Sequence, residues 1–521
     1  MKEKWNAVKK VSEEELLILK LCKKQKLWGF LREHRHLILD AGIRKALAEM
    51  YAGDTKGGRP PIAPERLALA MLLQVSFGVG DHEVPTLTAV DKRWQMVLDS
   101  IGETRPIFSQ GTVHAFRERA RENGFMKVLL DKTVELARKQ NGFGHKQLRT
   151  IFDSSPLVGA GRVEDTFNLL GRALSKLVEM AAKEAGVKVN VVTKQLELSV
   201  LQASSIKAGL DIDWRKGSAR TEALNQLIEM FGRIQSWLKT QFSLEKMKTP
   251  PISTHLKLVE TIIAQDTEPD PNSPHKKRII DGVAKNRMVS ISDKDMRHGR
   301  KTTTKTFNGY KRHIATDADV PGLICGTLVM AANQREYDAA APLLAQLADG
   351  QFNVTEINID RGYLASPEVV RLHEEGIAVI TKPPSEARTE LFSKSAFTVD
   401  FDKNTVTCPA AITMPIKEQK VSFSITDCRE CPLKSQCTKA RQRTVNIHPQ
   451  EKWYREMAKE LETKKGREKR RERIPVEHTL ARVGAIQGKR ARYIGLEKNQ
   501  FDLQRVAVVN NCFVVANLVA A

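Results

Sequence analysis

Two short apolar runs, LRTIFD and VTEINID, each close on an aspartate, Asp153 and Asp360. Each run reads as a strand with a carboxylate at its tip, and a sheet holds such a tip rigidly. Carboxylates converging from separate elements are what phosphodiester chemistry requires. Two divalent ions about 3.5–4 Å apart activate the attacking oxygen and stabilise the leaving one. Mg²⁺ takes hard oxygen ligands and keeps several of its waters, so two or three carboxylates suffice. An aspartate at a strand end is more commonly a turn residue that caps the following backbone. Two of them in one strongly basic chain shift that balance toward ligands, without singling out a unique site.

The basic character is large: 84 Lys and Arg against 62 Asp and Glu, a formal charge of +22. Such a charge concentrates polyanions, so nucleic acid is the first partner to consider, with an ordinary solvated basic surface as the alternative. No apolar stretch reaches the ~20 residues that cross a bilayer, and the opening MKEKWNAVKKVSEEELL lacks the apolar middle of a secretory signal. The expectation is a cytoplasmic, nucleoid-associated protein with no membrane partner. Four of the seven cysteines, Cys408, Cys428, Cys431 and Cys437, fall within thirty residues. They offer soft ligands for a tetrahedral structural Zn²⁺, reduced thiols being the alternative. Cys22, Cys325 and Cys512 read as buried apolar residues.

A chain of 521 residues is too long for one ordinary domain. Its first part is helical by spacing, in LAMLLQVSFGV and VLLDKTVELA. GGRPPIAPERL marks a turn with Pro64 at a first helical position, and FSQGTVHAFRERARENG offers Ser109 or Thr112 as the cap of a helix with Arg117 and Arg119 exposed. Such a helix is compatible with docking on DNA, or is simply the charged face of a bundle. After LRTIFD, a long helix carries Leu224, Leu227, Ile228, Phe231, Ile234 and Leu238 on one stripe, and TEPDPNSPHKK reads as a linker closing a helical insertion. Strand character returns in GYKRHIATD, GLICGTLVM, VTEINID and IAVITKPP. Between them lie one helix stopping at Gly350 and another capped by Ser366 with Pro367 in its first turn. Strand, helix, strand implies an α/β core with a mixed sheet. A cysteine-rich stretch and a basic helical end follow, the apolar tail VVNNCFVVANLVAA packing on the core.

The strings FDSSPLVGAGRVEDTFNLL, SDKDMRHGRKTTTKTFNGYKRHIATD, NIDRGYLASPEV and RIPVEHTLARVGAIQGKRARYIGLEKNQFDLQRVAVVNNCFVVANL, with GGRPPIAPERLALAMLLQ near the front, resemble bacterial insertion-sequence DDE transposases. The resemblance covers most of the chain in the expected order. It implies an RNase H-like core in which three acids hold two Mg²⁺ or Mn²⁺ ions, the matching positions being Asp153, Asp360 and Glu477. It also implies an arginine just before the glutamate, matched by Arg473 on the same helical face. The chain departs from the family pattern at Arg470, where a tyrosine is usual, and at Gly484, where a lysine is usual, leaving Lys489 or Arg490 as substitutes.

The implied division is a helical N-terminal DNA-binding and assembly region over 1–145, an RNase H-like core over 146–162 and 276–385, a helical insertion over 163–275, a cysteine-rich insertion over 386–450, and a C-terminal segment over 451–521 that carries the glutamate. The implied activity is binding of the element's terminal inverted repeats, cleavage of the ends and transfer of the 3′ hydroxyl to target DNA. Double-stranded DNA and a second copy of the chain would be the partners. A metal-dependent nuclease on the same fold and an inactive transposase-derived DNA-binding protein are the alternatives. The run KKGREKRRER, with seven basic residues from Lys464 to Arg473, would ordinarily be a solvated face, but beside Glu477 it favours phosphate contact. Arg297, Arg300, Lys301 and Lys311 would serve from the other side. Glu164 and Asp165 have plainer uses, Asp165 capping the helix from Thr166, while Asp293, Asp295 and Asp317 are further competitors, Asp317 being best explained as a strand-end turn residue.

Overall fold

The alternating residues of eight strands order the middle of the chain. The computed structural model describes residues 5–23, 25–51, 62–140, 147–302, 304–386 and 390–519. The glycine-proline turn at 57–61 and the expected boundary at 145/146 lie outside them. The strands are β1 (Gln147–Val158), β2 (Thr267–Asp270), β3 (Ser273–Ile279), β4 (Arg297–Arg300), β5 (Thr306–Asp317), β6 (Ile324–Ala331), β7 (Asn353–Ile359) and β8 (Ala378–Ile380). Six of them form one sheet in the order β4-β5-β1-β7-β8, with β6 also on β5. The loop from β5 to β6 is short, so those strands run antiparallel. Helices Ala340–Asp349 and Pro367–Glu374 cross over between β6, β7 and β8, and β7 pairs in parallel with both β1 and β8. This is the mixed α/β core with a helical N-terminal region that the sequence implies, consistent with an RNase H-like domain.

Local signals hold where the chemistry is local. Pro64 opens the Pro64–Phe77 helix, Ser109 accepts from the Thr112 amide, and Asp165 accepts from the amides of Phe167 and Asn168. Pro367 begins its helix as expected, but Ser366, at the cap position, makes no side-chain bond to the helix amides. Three further expectations are corrected. LRTIFD does not end a strand at Asp153: β1 continues to Val158, because β5 stays paired with it from Thr150 through Val158 while β7 stops at Ile359. TEPDPNSPHKK is not a linker but the β2–β3 hairpin, whose Lys277 backbone exchanges two hydrogen bonds with the Asn225 side chain at 2.8 and 2.9 Å. Arg117 is not exposed: it is buried, ion-paired with Asp81 and set over the Tyr493 ring.

One apolar core joins the N-terminal helices to the sheet, and the terminal helix Leu496–Val519 runs through it. That helix packs on the Phe125–Gln140 helix, on β6 and on the Pro64–Phe77 helix. Its register against β6 is set by Asn511, whose side chain bonds both the amide and the carbonyl of Ile324 at 2.9 and 2.8 Å. Cys325 and Cys512 are buried there as apolar residues, while Cys22 is half-buried. The helices between β1 and β2 close a second core, including Leu224, Leu227, Phe231, Ile234 and Leu238 of the expected stripe and joined by Met288 and Ile291. A third, small core around Phe397, Val421, Phe423 and Val445 carries the cysteine region. No helix among the described residues is long and apolar enough to cross a membrane.

Candidate active site

Side chains alternate along a strand, and neighbours in register share a face. The last parallel rung between β1 and β7 is Phe152 with Ile359, so the next residues, Asp153 and Asp360, stand side by side on the opposite face from that apolar pair. Arg149 and Glu356 lie on the same face lower down. There they hold the helices Lys464–Arg471 and Ile474–Gln487 onto the sheet. Arg149 pairs with Glu356 at 3.0 Å, with Asp319 at 2.7 Å and with Glu472, and Lys469 pairs with Glu356 at 2.6 Å. The Asn358 amide donates to the Lys469 carbonyl at 3.2 Å.

Arg473 therefore arrives over the strand ends. Its guanidinium lies 2.8 Å from Asp153 and 3.4 Å from Asp360, bridging the two carboxylates. Burial pushes the Asp153 carboxyl above its ordinary range and the charge of Asp360 adds to this, with Arg473 and the Ser154 amide opposing. Glu477 sits in the first turn of the Ile474–Gln487 helix, where the helix dipole favours a carboxylate. It lines a cleft of about 300 Å³ with Asp360, Lys382, Arg470, Arg471 and Arg473. Below, the buried Tyr363 hydroxyl meets His313 Nδ1 at 2.7 Å. Burial, with Lys311 contributing, pushes the His313 imidazole down to about 3, so it is neutral.

Hard oxygen donors from within β1, from the end of β7 and from a helix start suit a divalent cation, and two adjacent carboxylates in need of a counter-charge point the same way. Among the described residues no three acidic, histidine or cysteine side chains are gathered tightly enough to hold an ion as they stand. The aspartate pair is closed on Arg473, which a cation would replace.

The basic candidates divide. Arg470 and Arg473 belong to the cleft; Arg300, Lys301, Lys489 and Arg490 are exposed, with Arg490 donating to the Ala160 carbonyl. Arg297 spends its guanidinium on the carbonyls of Lys294 and Met296, Lys311 reaches the Gln334 carbonyl, and Arg119 lies 4.2 Å from the Tyr51 ring centroid. Gly484 leaves open the place a lysine would take, and a Cβ there would touch the buried Arg312. The competing acids are occupied elsewhere: Glu164 by Arg172, Asp293 by the Tyr310 hydroxyl, Asp295 by the Leu496 amide, and Asp317 by the turn amides of Asp319 and Val320. Cys408, Cys428, Cys431 and Cys437 are free thiols lining one small pocket, and burial, with the other three thiols contributing, raises Cys437 above its ordinary range. The sequence reading missed Lys382. The position of Lys382 just after β8 is the signal for it, since ligands gather at the carboxyl ends of parallel strands.

A family model for a transposase DDE domain matches residues 407–515, which include Cys408, Glu477 and most of the terminal helix. A second, described as a transposase domain, matches residues 19–119 of the N-terminal helices. Asp153 and Asp360 lie outside both matched segments. No curated protein and no solved structure matches the chain.

Proposed function

We propose that the chain, which matches two transposase domains, is a DDE transposase of the insertion-sequence kind with Asp153, Asp360 and Glu477 as its metal-binding acids. The observation that carries this reading is the parallel register that sets Asp153 beside Asp360 under Arg473. These acids would hold two Mg²⁺ or Mn²⁺ ions, which would supply an activated nucleophile and charge neutralisation at the leaving oxygen. Asp153 would present its oxygens from within β1, Asp360 from the end of β7 and Glu477 from its helix. Arg473, released from the carboxylates, turns to a phosphate, with Arg470, Arg471 and Lys382 lining the same cleft. The same acids serve two steps, water cutting at the element end and the freed 3′ hydroxyl attacking target DNA, because only the nucleophile changes.

The terminal inverted repeats are bound as duplex by the N-terminal helices and by the exposed Arg300, Lys301, Lys489 and Arg490, acting in the bacterial cytoplasm on the nucleoid. Two chains hold the two ends as a homodimer. Drawn closer together, the four cysteines that line one pocket would hold a structural Zn²⁺; zinc content near one per chain, lost in Cys428→Ser, tests it. For the main reading, a labelled element end is incubated with Mg²⁺ and a plasmid target, alongside Asp153→Asn, Asp360→Asn and Glu477→Gln. Cleaved and joined products that vanish in all three variants support it. Cleavage without joining makes the protein a nuclease, and binding indifferent to metal and to all three changes makes it a DNA-binding protein.

A further inference from the structure

Asp153 lies within β1 and Asp360 caps the 3₁₀ turn Arg361–Tyr363, and one carboxylate lies between the residues that follow them. Glu336 opens the short 3₁₀ turn Glu336–Ala339 that follows β6. Its Oε1 accepts the Ser154 hydroxyl at 2.6 Å, while the Ser154 amide donates to Asp153 at 2.8 Å. Ser154 thus binds Asp153 through its backbone and Glu336 through its side chain. On its other side Glu336 fills the space over Gly362, two residues beyond Asp360. A Cβ at Gly362 would lie 2.0 Å from Glu336 Oε2 and 3.1 Å from its Cβ, so the absence of a side chain there makes room for the carboxylate. Glu336 is half-buried and, among the described residues, has no cationic partner. Its charge therefore adds to the field that Asp153 and Asp360 create and that Arg473 alone offsets in their direct contacts.

We propose that Glu336 is a positioning residue: it clasps the β1 backbone just after Asp153 to the turn after Asp360 and adds negative potential, so that the two aspartates bind a divalent cation together. The proposal rests on the reading of those aspartates as metal ligands. It differs from that reading in assigning Glu336 no contact with the ion. Groups that orient metal ligands in this way typically contribute about 10–100-fold to metal affinity or activity.

The test uses the full chain and Mn²⁺, recording both the rise in thermal midpoint with Mn²⁺ concentration and the Mn²⁺ dependence of end cleavage. Compared are the natural protein, Glu336→Ala, Glu336→Gln, Gly362→Ala and, as the control for the underlying reading, Asp153→Asn. Glu336→Ala should need roughly 10–100-fold more Mn²⁺ for half its effect in both measurements. Glu336→Gln should need less extra metal, because its amide oxygen still accepts from Ser154. Gly362→Ala should behave like Glu336→Ala although every acid is intact. If Glu336→Ala melts like the natural protein without metal yet keeps its Mn²⁺ dependence, the proposal is overturned. Should Glu336→Ala not fold, an unchanged Mn²⁺ dependence in both Glu336→Gln and Gly362→Ala overturns it equally. A natural protein whose Mn²⁺ response survives Asp153→Asn fails the ligand reading itself, a different result from a response lost in Asp153→Asn and untouched at Glu336.

Discussion

The N-terminal helices and the helical insertion are both all-α, yet they are joined to the sheet in opposite ways. Leu67, Leu73, Trp94 and Leu130 share one core with β5, β6 and the terminal helix. Leu224, Phe231 and Leu238 instead close a core made almost entirely of residues of the insertion, which Met288 and Ile291 join from outside it and where Gln265 bonds the Met288 backbone. An element that shares the core must fold with the site, whereas one that brings its own core can vary without moving it. The aspartate pair depends on the first kind of packing, because strand register aligns Asp153 with Asp360 and the terminal helix supports the strands behind them.

Four experiments can break or sharpen this contrast. The largest effect should be on chemistry alone: Asp153→Asn or Asp360→Asn is expected to reduce end cleavage by at least about a thousandfold, the upper scale for losing one group that stabilises a transition state. Calorimetry should find both cores as stable as before, and a collapse of either would mean the aspartates are structural. Next, Leu503→Ala in the shared core should cost about 2–5 kcal/mol in a transition that includes N-terminal helices and sheet together. Leu224→Ala should cost a similar amount, but hydrogen exchange should speed up only within the insertion. Exchange spreading from Leu224→Ala into β5 or β6 would erase the distinction.

The third effect is smaller and depends on pH. His313 is neutral in the fold, with its imidazole held down at about 3, while the unfolded chain takes up the proton near the ordinary histidine value of about 6.5. The unfolded state therefore binds more protons between these values. This contribution to stability is intact above about 6.5 and is lost as pH falls toward 3, reaching about 2 kcal/mol at pH 5. His313→Gln should flatten the loss of thermal midpoint between pH 7 and pH 5, and an unchanged slope would place the acid sensitivity elsewhere. The smallest effect belongs to the insertion: Asn225→Ala should loosen the β2–β3 hairpin at a cost of about 1–3 kcal/mol, the penalty for buried backbone groups left unpaired, and leave cleavage intact.

What could be read from the chain without its fold is what short-range chemistry decides. The apolar stripe of Gly217–Gln241, the caps at Ser109 and Asp165, the opening at Pro64 and the strands around both aspartates depend on residues within a few positions of each other. Folding decided whatever turns on partners far away in sequence. Arg117 looked exposed on a charged helix, but Asp81 and Tyr493 draw it inward. Asp153 looked like a strand end because the apolar run stops there, but β5 goes on pairing past it. The proline-rich stretch looked like a linker because nothing local offers its backbone a partner, and Asn225, some fifty residues earlier, does so. Glu336 has no distinguishing neighbour in sequence and gains significance only where Ser154 and Gly362 close around it. Spacing along a chain specifies helices, strands and caps because they are made of near neighbours, while a constellation of charges exists only after register and packing have brought distant residues within a few ångströms.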